Sequence, residues 1–201
     1  MDEAVLSTNP TIFLVTLGGQ YKGSNVEVHD VRVVAGFTIK DTIPILRSQW
    51  FGNSKGLHVD SYLEVKYVNG FSIHLSKSPH AYGNKSNTNH LNEMSLDCLW
   101  FVNLGYYKAS DLCEHHRYGL VAAVNSSRAI QIAKDQWNLG SLSLHVDDVL
   151  KITSVLSCGN GLFDNYQQKW YIKLVPDCLN RTTIFDPHWQ GYWRIDENHV
   201  I

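Results

Sequence analysis

The length, composition and charge of the chain limit the classes of protein to which it can belong. Its 201 residues suffice for one large domain or for two of about 90 to 100 residues each. The formal charge of −2, without a long run of one sign, argues against nucleic-acid binding, and no apolar run reaches the length of a membrane span. The acidic start Met1-Asp2-Glu3 is unlike a signal peptide, so we expect a cytoplasmic protein with no nucleic-acid or membrane partner.

The first elements in the chain are predicted to form a β-hairpin. Thr11 to Leu17 is a short apolar run typical of a buried strand, and Val26 to Ala35 is rich in β-branched residues. Gly18, Gly19 and Gly23 indicate a turn between the two strands. This turn resembles a phosphate-binding loop only superficially, because it lacks the Lys and Ser/Thr that such a loop needs after its glycines.

A helix and a second hairpin follow. Ile43, Leu46 and Trp50 form an apolar stripe at helical spacing, with Asp41 as the expected N-cap. The next strand runs from Leu57 to Tyr67, turns at Asn69-Gly70 and returns through Phe71, Ile73 and Leu75. Asn-Gly is a strong hairpin signal, so the first 75 residues predict the order β-β-α-β-β.

The chain then repeats itself. Seventeen identities relate residues 12–66 to the residues 87 positions later without a gap, where composition alone would give about three or four. They include Leu57-His58-Val59-Asp60, which recurs as Leu144-His145-Val146-Asp147. The second helix has the stripe Ile130, Ala133 and Trp137, with Asn125 or Ser126 as its cap.

We therefore predict an α+β fold of two tandem β-β-α-β-β repeats, each a mainly antiparallel sheet with one helix, related by a pseudo-twofold. The predicted parts are a first repeat at 11–75, a linker at 76–97, a second repeat at 98–176 with an insertion near 155–169, and a C-terminal extension at 177–201. The extension is rich in aromatic residues, so we expect it to pack on the body.

The four cysteines, Cys98, Cys113, Cys158 and Cys178, all lie after the first repeat and the linker. A disulfide framework would staple both copies, so free thiols are expected. Their spacing is a weak signal for a zinc site, and the sequence identifies no cofactor.

Two polar motifs are kept in both repeats and are the candidate functional residues. They are Glu-x-His and His-x-Asp, at Glu27, His29, His58 and Asp60 and again at Glu114, His116, His145 and Asp147. Strand alternation puts the two members of each motif on one face. Such groups suit a divalent metal or acid–base chemistry, but they could also close a structural hydrogen-bond network. The face of His58 would continue through Tyr62, Glu64 and Lys66, which predicts exposure to solvent.

Five stretches of the first repeat carry a resemblance to a known family. They are Leu17-Gly18-Gly19, Glu27-Val28-His29-Asp30-Val31-Arg32, Asp41-Thr42 with Pro44, Gln49-Trp50-Phe51-Gly52 and Leu57-His58-Val59-Asp60. These residues resemble the bacterial family called domain of unknown function 1543, which occurs in one or two copies per chain. The resemblance implies a bacterial cytosolic protein without an established activity. It adds Asp30 and Arg32 to the candidate ligand-binding residues, and these two become Arg117 and Gly119 in the second repeat, so any role for them exists once.

Three hypotheses about function remain open. The first is a duplicated, non-catalytic structural or interaction module, whose partner could be a second copy of the chain. The alternative is a binding site for a small ligand or a divalent metal, formed by the Glu-x-His and His-x-Asp pairs of the first repeat. An enzyme that uses His29 or His58 as a general base ranks last, because no nucleophile is recognisable.

Overall fold

A computed structural model describes residues 9–79, 97–137, 140, 142–158, 167–183 and 185–196. The described chain is mostly antiparallel sheet with two short helices. The strands are β1 Thr11–Gly19, β2 Val28–Gly36, β3 His58–Val65, β4 Tyr67–Val68, β5 Phe71–Ser76, β6 Cys98–Tyr106, β7 His115–Ala123, β8 His145–Ile152, β9 Ser154–Cys158, β10 Gln167–Pro176 and β11 Trp189–Arg194. The helices are α1 Ile43–Gln49, which follows a 3-10 turn at Lys40–Thr42, and α2 Ser126–Trp137.

Each repeat builds a sheet around its own first strand. β1 lies between β2 and β3, and β6 lies between β7 and β8, all antiparallel. Alternate side chains of β1 point to opposite faces. Phe13, Val15 and Leu17 pack with α1, whereas Ile12 and Leu14 belong to a second core cluster on the other face. The helix therefore covers one face of its sheet and leaves the other free.

The remaining strands depart from the predicted β-β-α-β-β pattern. The strand β3 ends at Val65, and the short hairpin β4–β5 follows it, with the predicted turn at Asn69 (φ 47°) and Gly70 (φ 80°). This hairpin does not continue the sheet of its own repeat. It joins the hairpin β9–β10 of the second repeat in a shared sheet of order β4-β5-β10-β9. A pattern of alternating residues cannot reveal which sheet a strand joins, because it specifies the buried face and not the neighbour.

The shared sheet joins the two repeats through a reciprocal register. Ile73 pairs with Leu174, and Leu75 pairs with Ile172. In each repeat, the sheet face opposite the helix packs against this shared sheet. Together they form one apolar cluster with residues from both repeats, among them Ile12, Leu14, Leu99 and Trp170. The two repeats therefore have a core in common.

The helix ends agree with the sequence in one repeat and differ in the other. In the second repeat the Asn125 side chain accepts a hydrogen bond from the Arg128 amide (2.9 Å), as an N-cap does. In the first repeat the predicted cap at Asp41 is wrong. The Asp41 carboxylate accepts from the amide of Thr38 (2.7 Å), and the helix begins at Ile43 after Thr42 without a side-chain cap. Pro44 in the first turn removes one of the amides that a cap would satisfy.

The segment after β10 runs back along the first repeat. Backbone hydrogen bonds join Arg181 to Gly70 (3.0 Å) and Thr183 to Tyr67 (3.1 Å), and β11 then pairs with β3. The first sheet thus gains a fourth strand that the second sheet lacks in the described part of the chain.

Some sequence predictions fall partly outside the described residues. These are most of the linker 76–97 and positions 159–166 of the insertion. The cysteines are thiols rather than disulfides in the described structure. Within the same residues, no helix is long and apolar enough to cross a membrane.

Candidate functional site

A β-bulge in β3 determines which of its side chains face the second repeat. The β1–β3 register slips after the Thr16–Ser61 pair, so that Leu17 faces Val59 and Asp60 is the extra residue. His58, Asp60 and Ser61 consequently lie on the side facing the second repeat. The prediction that the His58 face continues through Tyr62, Glu64 and Lys66 is wrong, because strict alternation cannot anticipate a bulge. The second repeat has the same slip between Asn103 and Leu104.

Four side chains of the first repeat meet above Gly18. His58 Nε2 lies 3.1 Å from Asp60 Oδ1 and 3.6 Å from Glu27 Oε1. His29 Nε2 lies 3.4 Å from Asp60 Oδ2 and 3.7 Å from Glu27 Oε2. Two imidazoles and two carboxylates therefore converge on one small volume, which we call the first cluster.

The protonation of the His58 ring follows from its second nitrogen. Nδ1 lies 2.8 Å from the Gly56 carbonyl oxygen, which only accepts, so Nδ1 carries a proton. In the neutral ring Nε2 then presents a lone pair toward Asp60 and Glu27. A histidine whose far nitrogen donates to a carbonyl is oriented as metal-binding histidines are.

The C-terminal segment holds this arrangement in place. Asp196 Oδ2 accepts a hydrogen bond from the Gly56 amide (3.0 Å) and pairs with Arg194 (2.5 Å). Gly56 is thereby fixed between Asp196 and His58. The ring of Tyr192 lies over His58, with centroids 4.1 Å apart, and the His58 side chain is only 1% exposed. Sequence reasoning missed Tyr192, Asp196 and Gly56, because no spacing in the chain links residues 56–58 to 192–196.

Gly18 provides the floor of the first cluster. It pairs with His29 on one neighbouring strand and with His58 on the other, so the two rings approach each other over it. A Cβ at this position would lie 2.5 Å from His58 Nε2 and 2.9 Å from Asp60 Oδ2. The predicted turn at Gly18 and Gly19 is therefore wrong: both residues belong to β1, and Gly18 is glycine because the cluster needs its space. Gly18 and Gly105 are among the repeated identities, which is the signal that could have identified them.

Gly18→Ala should displace His58 and lower stability by about 1 to 3 kcal/mol, as overpacking of a buried position does. Gly105→Ala serves as the matched comparison, since His145 is 45% exposed and can move away at smaller cost. Urea denaturation of both variants measures the difference. Equal losses would contradict the role of burial at the first cluster.

Burial raises the pKa of Asp60, and the nearby His58 and His29 only partly oppose this effect. A raised carboxyl pKa means that the folded protein holds this proton more tightly than the unfolded chain. The stability from Asp60 is therefore greatest at pH values below its unfolded pKa, and it is lost as the pH rises through the folded pKa. The ionised form of Asp60 is therefore the form that burial in the folded protein disfavours.

We expect Asp60→Asn to raise the melting temperature of the metal-free protein at pH 7, because the amide removes the buried charge. The gain should shrink toward about pH 4, where the carboxyl of the unfolded chain becomes protonated. Thermal melting between these two pH values in the presence of a chelator measures this dependence. A variant less stable than wild type at pH 7 would assign Asp60 to a structural network instead.

The second repeat has an equivalent group, which we call the second cluster. His145 Nε2 contacts Glu114 Oε1 directly and lies 3.2 Å from Asp147 Oδ1. His116 Nδ1 lies 2.9 Å from Asp147 Oδ2. Potential ligand atoms of Glu114, His145 and Asp147 all lie within 4.8 Å of one another, which suits a metal ion. Gly105 again forms the floor, where a Cβ would lie 2.7 Å from Asp147 Oδ2.

The two clusters differ in their cover. The ring of Tyr107 stacks on His145 at 5.9 Å, and the charge on Glu114 raises the pKa of the Tyr107 hydroxyl. The second cluster nevertheless stays open, since no counterpart of β11 lies beside β8 in the described residues. His145 is 45% exposed, against 1% for His58.

Asp30 and Arg32 lie apart from both clusters. They alternate with His29 along β2 and point to the helix side, where Arg32 Nη2 pairs with Asp30 (2.5 Å) and donates to the Gln49 carbonyl (3.1 Å). The family resemblance added them to the candidate residues, in the same stretch as Glu27 and His29. The structure separates them by the alternation of the strand.

Fold and clusters together define a duplicated α+β protein with one His-carboxylate cluster in each repeat. The sequence model of the family described as Domain of Unknown Function (DUF1543) matches residues 24–75 and 111–160. The chain therefore belongs to this family, and the resemblance seen in its sequence is confirmed, including the two tandem matches.

Among solved structures, the chain is similar to the crystal structure of a protein Il1583 from Idiomarina loihiensis. The two share 30% sequence identity with a TM-score of 0.64, over 94% of this chain and 99% of that one. None of the curated proteins matches the sequence. The comparisons thus give a family and a fold but no activity.

Proposed function

We propose that the protein binds a divalent first-row transition metal ion at each cluster, more tightly at the first. The observation that carries this proposal is the convergence of His58 Nε2 with Glu27, His29 and Asp60, while the other His58 nitrogen is committed to Gly56. Imidazole and carboxylate ligands in a partly closed site suit Zn²⁺ and neighbouring ions.

A purely structural network explains the first cluster less well. With Nδ1 protonated, a neutral His58 directs a lone pair at two carboxylates. In the described chain Asp60 Oδ2 accepts no hydrogen bond, and its neighbour is His29 Nε2 at 3.4 Å. Either a second proton on His58 or a bound cation would satisfy these groups. Burial raises the pKa of Asp60 more than His58 and His29 lower it.

The second part of the proposal is an approximate twofold relation between repeats at 11–75 and 98–176, with 76–97 as linker. The reciprocal pairing of Ile73 with Leu174 and Leu75 with Ile172 supports it, since a twofold axis exchanges such partners. Among the described residues, the extension after residue 176 departs from this symmetry, because it covers His58 of the first cluster and adds no strand beside β8.

The test is a metal titration of the purified chain after treatment with a chelator. Calorimetry with Zn²⁺ should give two ions per chain with unequal affinities, and Co²⁺ should give visible absorption bands typical of nitrogen and oxygen ligation. A chain that binds neither ion, and whose melting temperature neither ion raises, would refute the proposal.

A second candidate function, as an interaction module, rests on the outer edge of β8. Among the described strands, none pairs with this edge, although β11 occupies the corresponding edge of β3. Val146 and Leu150 on β8 are exposed. An unpaired strand of this kind can add a strand from a second molecule, including a copy of this chain. Sedimentation of the wild-type chain tests for such self-association.

A further inference from the structure

An open cleft lies between the two repeats, and one histidine of each cluster, His29 and His116, lines it. Its volume is about 690 Å³, within the usual range for small-molecule sites. β2 of the first repeat forms one wall with His29, Asp30 and Val31. The other wall is the face of the second sheet, with Phe101, Asn103, Asp148, Leu150 and Ile152.

A corresponding cleft, which we call the filled cleft, shares Thr16, His116 and Tyr118 with the open one, and part of the chain itself enters it. The residues at the equivalent positions of the other repeat line this second cleft, whose volume is about 190 Å³. One wall has Leu14, Thr16, Ser61 and Leu63, and the other has His116, Arg117 and Tyr118. Phe185 and Pro187 of the C-terminal segment enter this second cleft. One cleft is therefore occupied by an aromatic peptide segment, and its counterpart is open.

The open cleft differs from the filled one in its polar groups. Arg32 lies on the helix face of β2, which is an edge strand, and it lines the open cleft from there together with Asp30, its ion-pair partner. The second repeat has Gly119 at this position, and Phe185 packs against it. Among the described residues, Arg32 Nε and Asn103 Oδ1 are buried polar atoms without a hydrogen-bond partner. Asp148 pairs with Asn103 across β6 and β8, so a carboxylate stands beside the unpaired amide oxygen. Buried polar atoms of this kind are costly unless something satisfies them.

We propose that the open cleft binds a small zwitterion with an apolar side chain, either a free amino acid or a dipeptide. The Nε–H of Arg32 donates to the carboxylate of this ligand. Asn103 Oδ1, together with Asp148, receives the ammonium group. The apolar side chain packs on Phe101, Leu150 and Ile152, as Phe185 packs in the filled cleft.

The experiment is calorimetry on metal-free wild-type protein with two probes, L-phenylalanine and L-phenylalanyl-L-leucine. Each probe is compared with its N-acetyl form and its carboxamide, which remove one charge at a time. At least one zwitterion should bind, and each blocked form should bind at least about tenfold more weakly. The probe that binds identifies the source as free amino acid or peptide. If neither zwitterion binds, or if blocked and unblocked forms bind equally, the proposal is wrong.

Two variants assign the polar contacts. Arg32→Met should lower the affinity for the zwitterion at least about tenfold and leave the affinity for the carboxamide form unchanged. Asn103→Leu should lower the affinity for the zwitterion and for the carboxamide form, and leave the affinity for the N-acetyl form unchanged. Arg128→Met, at an exposed position of α2, is the matched control and should bind like wild type. Zinc stoichiometry should stay at two ions in Arg32→Met, so that failure here is distinct from failure of the metal proposal. If a variant does not fold, the comparison of ligand forms on the wild type still decides.

Discussion

His58→Ala should reduce zinc binding from two ions per chain to one and remove the tighter site. The ring is the most buried ligand of the first cluster, and its loss leaves Asp60 and Glu27 without their shared nitrogen. We expect the affinity at this site to fall more than about a hundredfold, beyond the loss that accompanies removal of an outer partner. Calorimetry on the chelator-treated variant measures both stoichiometry and affinity.

Two matched histidine variants control this experiment. His145→Ala should remove the weaker site and keep the tighter one. His74→Ala should keep both, since the exposed His74 ring contacts only Ser72 among the described hydrogen bonds. Two unchanged sites in His58→Ala, or equal losses in all three variants, would show that the first cluster does not bind the metal.

Trp50→Ala should lower the free energy of unfolding by about 3 to 5 kcal/mol, as deletion of a buried aromatic ring does. Trp50 is 9% exposed and packs in the helix-side core. Glycines surround its ring: a Cβ at Gly19 or at Gly52 would lie 2.8 Å from ring atoms. Because the two glycines have no side chain that could shift into the space, the cavity left by the indole is filled only in part by its neighbours.

Trp137→Ala is the matched comparison for this large loss. Trp137 is partly exposed at the end of α2, so we expect a smaller change of about 1 to 3 kcal/mol. Chemical denaturation of both variants gives the two values. A loss below about 1 kcal/mol for Trp50→Ala would show that the first helix does not depend on this contact.

The sequence predicted local structure well where one residue type decides it. The Asn69-Gly70 turn, the apolar stripe of α1 and the Asn125 cap follow from backbone and side-chain chemistry within a few residues. The duplication also drew attention to the two pairs of polar motifs, which the structure brings together in each repeat.

Features that depend on distant partners could not be predicted. The bulge at Asp60 reverses which residues of β3 share a face, and no residue type marks it. The shared sheet β4-β5-β10-β9 depends on which strand edges are free to pair after folding. Gly18 was predicted to lie in a turn because glycine favours turns, whereas in the structure its missing side chain leaves room for the His58 ring.

The path of the C-terminal segment has a consequence for how the protein matures on the ribosome. The side chains of the second cluster come from residues 114–147, so this cluster can assemble once the second repeat has emerged. The side chains of the first cluster are complete once residue 60 has been made, but the Tyr192 ring over His58 and the Asp196 carboxylate that holds Gly56 are added much later. Although domains generally fold in order of synthesis, the half made first here acquires its finished site last.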